Sequence, residues 1–242
     1  MKEQHSRRME IRPDASWTSL YAAGSVLALL YVVMVVIPLV LLFAAPQPPA
    51  SGGAAILNYI ASHKGVYLTE LICFVGLSVP ALGVFLAVSV SLKDTNKSLA
   101  ALGGLVGIVS EIVALALGSS PQSLNGGLVY LSDQYATAAE TQRVALASAA
   151  EGFLATANAV SSPGILTALG ILLLSLCMLR GVFHRGVAFL GIVAGILGMV
   201  FEALRPQIGI VYGLYGLLLP AWFIAVGLKL FKIGFRAQGG AS

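Results

Sequence analysis

Six stretches of this chain stay apolar for long enough to cross a bilayer, and polar turns separate them. A hydrocarbon core of about 30 Å takes roughly 20 helical residues at 1.5 Å each. The clearest stretch is Thr18 to Ala45, 28 residues without one charged side chain. Inside hydrocarbon each backbone amide must be satisfied within its own segment, so such runs predict α-helices. The pattern places spans at about 18–45, 66–92, 98–117, 163–179, 187–204 and 208–233, with tails at 1–17 and 235–242. The first run is about twice as long as the apolar region of a signal peptide, so it reads as a retained span. Pro46, Pro48 and Pro49 stop it. Pro80 in span two and Pro220 in span six remove backbone donors and predict kinks.

Two segments outside the spans carry helical periodicity. ILNYIASH, ahead of span two, reads as a short amphipathic piece at the interface. The longest connection, 118–162, holds LNGGLVYLSDQY and then a second segment from Thr137 to Ala159. In that segment Leu146, Ala150, Phe153, Ala157 and Val160 form one apolar stripe. Thr137 and Glu140 have capping-box spacing at its start. Ser162 and Pro163 read as the cap and first residue of span four. The expected fold is therefore all-α: a six-helix membrane bundle with an amphipathic outer helix between spans three and four.

Composition adds orientation. Hydrophobic residues make up 58% of the chain and charged residues 10%, and the formal net charge is +4. That surplus does not point to nucleic acid, because basic residues sit at helix ends, where they meet headgroups. With the amino terminus inside, the inner face holds Lys2, Arg7, Arg8, Arg12, Lys93, Lys97, Arg180, Arg185, Lys229, Lys232 and Arg236. The outer face holds only Lys64, Arg143 and Arg205. This 11-to-3 division of the 14 basic residues predicts both termini cytoplasmic in a cell inner membrane. Gly103 and Gly107, Gly191 and Gly195, and Gly209 and Gly213 have the spacing that lets helix backbones approach, here within one chain.

The turn and helix KDTNKSLAALGGLVGIV resemble those of the bacterial membrane family called domain of unknown function 4386. So does GVFHRGVAFLGIVAGILGMV, a short basic turn followed by a Gly-rich helix. The resemblance spans roughly residues 15–230 on loose motifs of small and apolar residues. It implies six spans with a large loop between the third and fourth. It implies no activity and no catalytic residues.

Ionisable groups inside spans are costly and mark functional sites by default. Glu111 lies roughly 20 Å along span three, beyond the bilayer centre. Glu70, Glu202 and Arg205 lie in the same outer half, with Tyr212 and Tyr215 at similar height. Arg205 follows Glu202 by three residues and can pair with it. The six form the candidate ligand or ion cluster, with Arg205, Tyr212 or Tyr215 expected beside Glu111. Cys73 and Cys177 lie in apolar runs without metal-ligand spacing, and His5, His63 and His184 lack partners. No metal or cofactor is expected. No GxSxG or comparable catalytic motif is present, so an enzyme is not expected. Two functions remain in view. One is a non-catalytic accessory or scaffold subunit, with the lipid bilayer and other membrane subunits as partners. The other is small-molecule or ion binding or transport through the outer cluster.

The predicted topology has a direct test. Cysteines placed at 95 and 183, in the two inner turns, should react with an impermeant thiol reagent only after the inner face is exposed. Labelling from outside contradicts the orientation.

Overall fold

The computed structural model describes residues 13–120, 124–159, 161–208 and 211–236. The first helix, α1, runs Thr18–Ala44 without a polar cap at either end. Next come α2 (Gly53–Gly76) and α3 (Ser78–Leu92), which together make the second span. The break at Leu77 follows from Pro80. Proline has no amide to donate to Gly76 and its ring crowds that carbonyl. The ILNYIASH segment, read from sequence as a separate interfacial piece, is instead the first part of α2. A single non-helical residue, His63 (φ −131°, ψ 35°), bends it away from the span.

Helix α4 (Lys97–Leu117) starts at Asn96, whose side chain accepts from the Leu99 amide, and ends at Gly118. Gly118 adopts φ 57°, the left-handed turn glycine takes without a Cβ penalty. A minimal antiparallel pairing of Ser119–Ser120 with Leu124–Asn125 follows. Helix α5 (Gly126–Thr137) was not anticipated. Its Gly-Gly start and polar content hide it, yet the Asn125 side chain caps it by accepting from the Gly127 amide at 2.8 Å. Helix α6 spans Glu140–Asn158, so the expected Thr137–Glu140 capping box does not form. Thr137 instead closes α5, and extended Ala138 and Ala139 separate the two helices. Helix α7 (Ser162–Met178) is capped by Ser161 rather than Ser162: its hydroxyl accepts from the Gly164 amide. Then α8 covers Arg185–Ala203, with the His184 ring capping its first turn. A single turn, α9 (Arg205–Ile208), precedes α10 (Tyr212–Arg236). The sixth span thus begins about one turn later than the sequence pattern placed it.

Among the described residues, six helical stretches are long and apolar enough to cross a membrane. Their helices form a ring in chain order: α1 packs on α3, α3 on α4, α4 on α7, α7 on α8, α8 on α10, and α10 returns to α1. Small residues make the closest seams. A methyl group on Gly170 would lie 2.9 Å from the Gly107 backbone, and one on Gly234 would lie 2.5 Å from the Ala22 amide. The glycine pairs of α4 and α8 therefore face neighbouring helices of the same chain. Gly209 lies outside the described residues, and Gly213 faces open space.

Two apolar cores result. One fills the ring at the end bearing turns 93–96 and 179–184, around Phe85, Trp222, Phe223 and Leu230. The other lies at the opposite end, beneath a cap built from the start of α2, α5 and α6, around Ile56, Leu57, Leu128 and Leu154. Tyr67 ties this cap to the span: its hydroxyl donates to the Asn125 carbonyl at 3.1 Å and accepts from the Asn125 amide at 2.9 Å. Ser132 donates to Leu57 O and Lys64 pairs with Asp133, both joining α5 to α2. The face of α6 that goes down is Ala150, Leu154 and Ala157. Phe153, expected on that face, is 37% exposed, and Val160 lies outside the described residues. Leu154 takes the buried position instead, in one cluster with Ile56 and Leu57 of α2 and Leu128 of α5.

At the other end Lys93 bonds the Asp14 carboxylate and lies over the Trp17 ring. With Ser16 it holds the Asp14 carboxyl down at about 2. That contact is complete above the ordinary carboxylate range and is lost only as pH falls toward 2. In the two turns themselves Phe183 is buried, whereas Asp94 and His184 are exposed and suit thiol labelling better.

The seam between α4 and α7 gives a packing test. Gly170→Ala should lower the melting temperature in detergent, costing about 1–3 kcal/mol as helices are forced apart. Gly152→Ala, on the exposed side of α6 with open space around it, should instead stabilise by up to about 1 kcal/mol.

Candidate functional site

Between the two cores the ring is not filled. A cavity of about 550 Å³ opens in the cap-side half of the bundle, within the size range of small-molecule pockets. The carboxy-terminal turn of α6, with Thr156 and Ala157, forms its roof. Tyr31 and Leu219 line its lower end. Beneath them the Tyr31 ring stacks on Phe223 at 3.8 Å, and Phe223 meets Trp222 edge-on at 5.3 Å. Trp222 is fully buried and donates to Ser175 at 3.2 Å.

The polar groups of the cavity form two sets. The first surrounds Glu111 of α4, which is 4% exposed. Thr167 of α7 donates to it at 3.1 Å, and Ser78 at the start of α3 also hydrogen-bonds it. The Thr167 hydroxyl has two other acceptors in reach, Ser110 Oγ at 3.0 Å and the Pro163 carbonyl at 3.1 Å. One proton cannot serve all three at once, so the Glu111 carboxyl keeps unused hydrogen-bonding capacity. Glu111 therefore faces the interior as the sequence suggested, but its direct partners are hydroxyls rather than Arg205, Tyr212 or Tyr215.

Arg205 belongs to the second set. It pairs with Glu202, three residues earlier, through Nη2 and Oε2. Tyr212 donates to the other Glu202 oxygen at 2.7 Å, and the guanidinium lies 5.2 Å over the Tyr212 ring. Nη1 reaches the Ala157 carbonyl at 3.4 Å, linking the network to the roof. Nε is buried and has no hydrogen-bond partner among the described residues. The Glu202 carboxylate packs against Gly164 in the first turn of α7, where a side chain would collide with it. A helix amino terminus is a favourable neighbour for a negative group. Tyr215 lines the same cavity, edge-on to Tyr212 at 6.0 Å.

Five of the six candidate residues thus converge on one cavity: Glu111, Glu202, Arg205, Tyr212 and Tyr215. Glu70 does not line it. It is buried on the α2 face that carries Tyr67 and Cys73. The residues that sequence reading missed are Ser78, Thr167 and Tyr31. Hydroxyls are common in membrane helices, and no spacing rule distinguished these. Among the described residues no group of three or more His, Cys, Asp or Glu side chains stands together as a metal site. Comparison with family models, curated proteins and solved structures returned no match to this chain.

The buried pair makes a sharp thermodynamic prediction. Arg205→Leu leaves Glu202 without its counter-charge and should cost roughly 3–5 kcal/mol, read as a loss of thermal stability in detergent. The double variant Glu202→Leu with Arg205→Leu should cost much less, because no uncompensated charge remains. Equal losses in the single and double variants would show that the pair is not coupled.

Proposed function

We propose that the protein binds a small molecule in this cavity, and that it sits in a cell inner membrane with both termini cytoplasmic. The division of basic residues supports the orientation, and the cavity then lies in the outer half of the bilayer. The observation that carries the binding reading is the buried Arg205 Nε, a donor without an acceptor among the described residues, on a side chain that lines the cavity. A buried unsatisfied donor is costly. An acceptor on a bound molecule would relieve that cost, and Glu111 offers the same molecule a second anchor. Convergent polar groups in an otherwise apolar pocket are the usual make-up of a ligand site.

Two other readings have less support. The glycines of α4 and α8 that would have suited a partner subunit pack within this chain. Passage through the bundle would require moving the rings of Tyr31, Phe223 and Trp222, which pack together below the cavity. We therefore favour a binding protein over a scaffold or a channel. The family resembled in sequence implies no activity and leaves this choice unchanged.

Native mass spectrometry of the full chain released from mild detergent tests the proposal. Wild-type protein should carry a non-protein mass. Glu111→Gln should keep its melting temperature within a degree or two of wild type and lose that mass. Wild-type protein without any bound mass, recovered in fixed ratio with another membrane protein, would establish the accessory-subunit reading instead.

A further inference from the structure

The seam between α1 and α10 is closed in one half of the bundle and open in the other. Its closed half descends through matched small residues. A methyl group on Gly227 would lie 2.7 Å from Ala28 Cβ, and Gly234 meets Ala22. The last rung is the Tyr31–Phe223 stack. Continuing toward the cap, the same stripe of α10 carries Leu219, Gly216 and Tyr212 at helical spacing. All three line the cavity. Gly216 is nevertheless exposed, with nothing within 4 Å of where a Cβ would stand. On α1, Val35 lines the cavity, and Leu39 and Leu42, one and two turns further along the same face, are 42% and 45% exposed. The outer end of α1 leans the other way, toward α2. Met34 approaches Gly76, and Tyr59 donates to the Pro46 carbonyl at 2.7 Å. Helix α10 is held at that height to α8 instead, through Tyr212 on Glu202 and Tyr215 against Gly198. The cavity therefore reaches the face of the bundle that hydrocarbon would cover.

We infer that the cavity takes a membrane amphiphile sideways, through the gap between α1 and α10. This rests on the binding reading above and names its ligand class. The head offers hydrogen-bond acceptors, such as phosphate or carboxylate oxygens, to Arg205 Nε. The chain lies in the gap along Val35, Leu39 and Leu219. Hydrocarbon is the solvent at that gap, so an acyl chain loses nothing by resting there. The head group exchanges interfacial water for a guanidinium, a pairing that suits oxyanions. A free anion has no need of the apolar gap, and the difference between the two sources can be measured.

The test uses the full chain in phosphatidylcholine vesicles doped with a phosphatidylcholine that carries a diazirine on its acyl chain. Photolysis followed by residue-level mass spectrometry should place label on Val35 and Leu219 inside the gap, as well as on lipid-facing Phe43 and Leu102. Gly216→Trp fills the open space and should reduce the gap label at least severalfold, leaving Phe43 and Leu102 unchanged. Gly216→Ala, too small to close the gap, should behave as wild type and controls for folding. A second measurement separates this inference from the reading beneath it. Thr167→Cys places a thiol at the Glu111 end of the cavity, for reaction with a charged methanethiosulfonate added in water. If Val35 and Leu219 stay unlabelled and Cys at 167 reacts, the cavity fills from water; the sideways route is overturned and the binding reading survives. If neither reacts, both are overturned. If gap labelling occurs but Gly216→Trp does not change it, the route between α1 and α10 is wrong.

Discussion

The contact between the first and last membrane helices determines the shape of everything else. Six helices joined in chain order make a ring only where α1 and α10 meet, and they meet through Ala22, Ala28, Gly227 and Gly234. Small residues allow van der Waals contact between backbones, the main attraction left to helices when lipid removes the hydrophobic drive. Above Tyr31 and Phe223 these small matched positions end. The helices part, and the volume between them is left to whatever polar side chains the ring can tolerate. The cavity is thus a consequence of where close packing stops.

Those polar side chains are tolerated because each charge has a local answer. Glu202 has Arg205, Tyr212 and the amino-terminal turn of α7. Glu111 has two hydroxyls from neighbouring helices. Neither carboxylate borrows the other's partner, so the site has two chemically distinct ends: one ionic, one built from neutral hydrogen bonds. A molecule spanning them would be held by its orientation as much as by its charge.

Much of the fold was legible because the bilayer imposes a length and forbids charge. The boundaries of α1, α4, α7 and α8 came within a few residues of the pattern. What failed did so where local chemistry outvoted the pattern. The break at Pro80 between α2 and α3 was expected, but a supposedly separate piece runs on into α2 through the bend at His63. Helix α5 was hidden because its two leading glycines and its polar face have neither the length nor the periodicity of a span. On α6 the stripe held at Leu146, Ala150 and Ala157 and failed at Phe153, whose buried place is taken by the adjacent Leu154. In the site, charge was readable from sequence and partnership was not. Arg205 with Glu202 followed from spacing along one stretch of chain. Ser78 and Thr167 reach Glu111 from different helices, and only the ring order brings them there.

A ring closed in chain order also has a consequence for biosynthesis. The helices emerge one after another, and each can dock on the one before it, but the last must find the first. Until α10 inserts, the small-residue face of α1 lies bare against lipid and the aromatic floor lacks Trp222 and Phe223. The Glu202–Arg205 pair is by then already in the bilayer without Tyr212. The nascent protein therefore passes through a stage in which its most costly polar groups are least well covered, and the final helix relieves it. Quality control in the membrane would have a ready mark of an unfinished chain: an open ring with an ion pair showing.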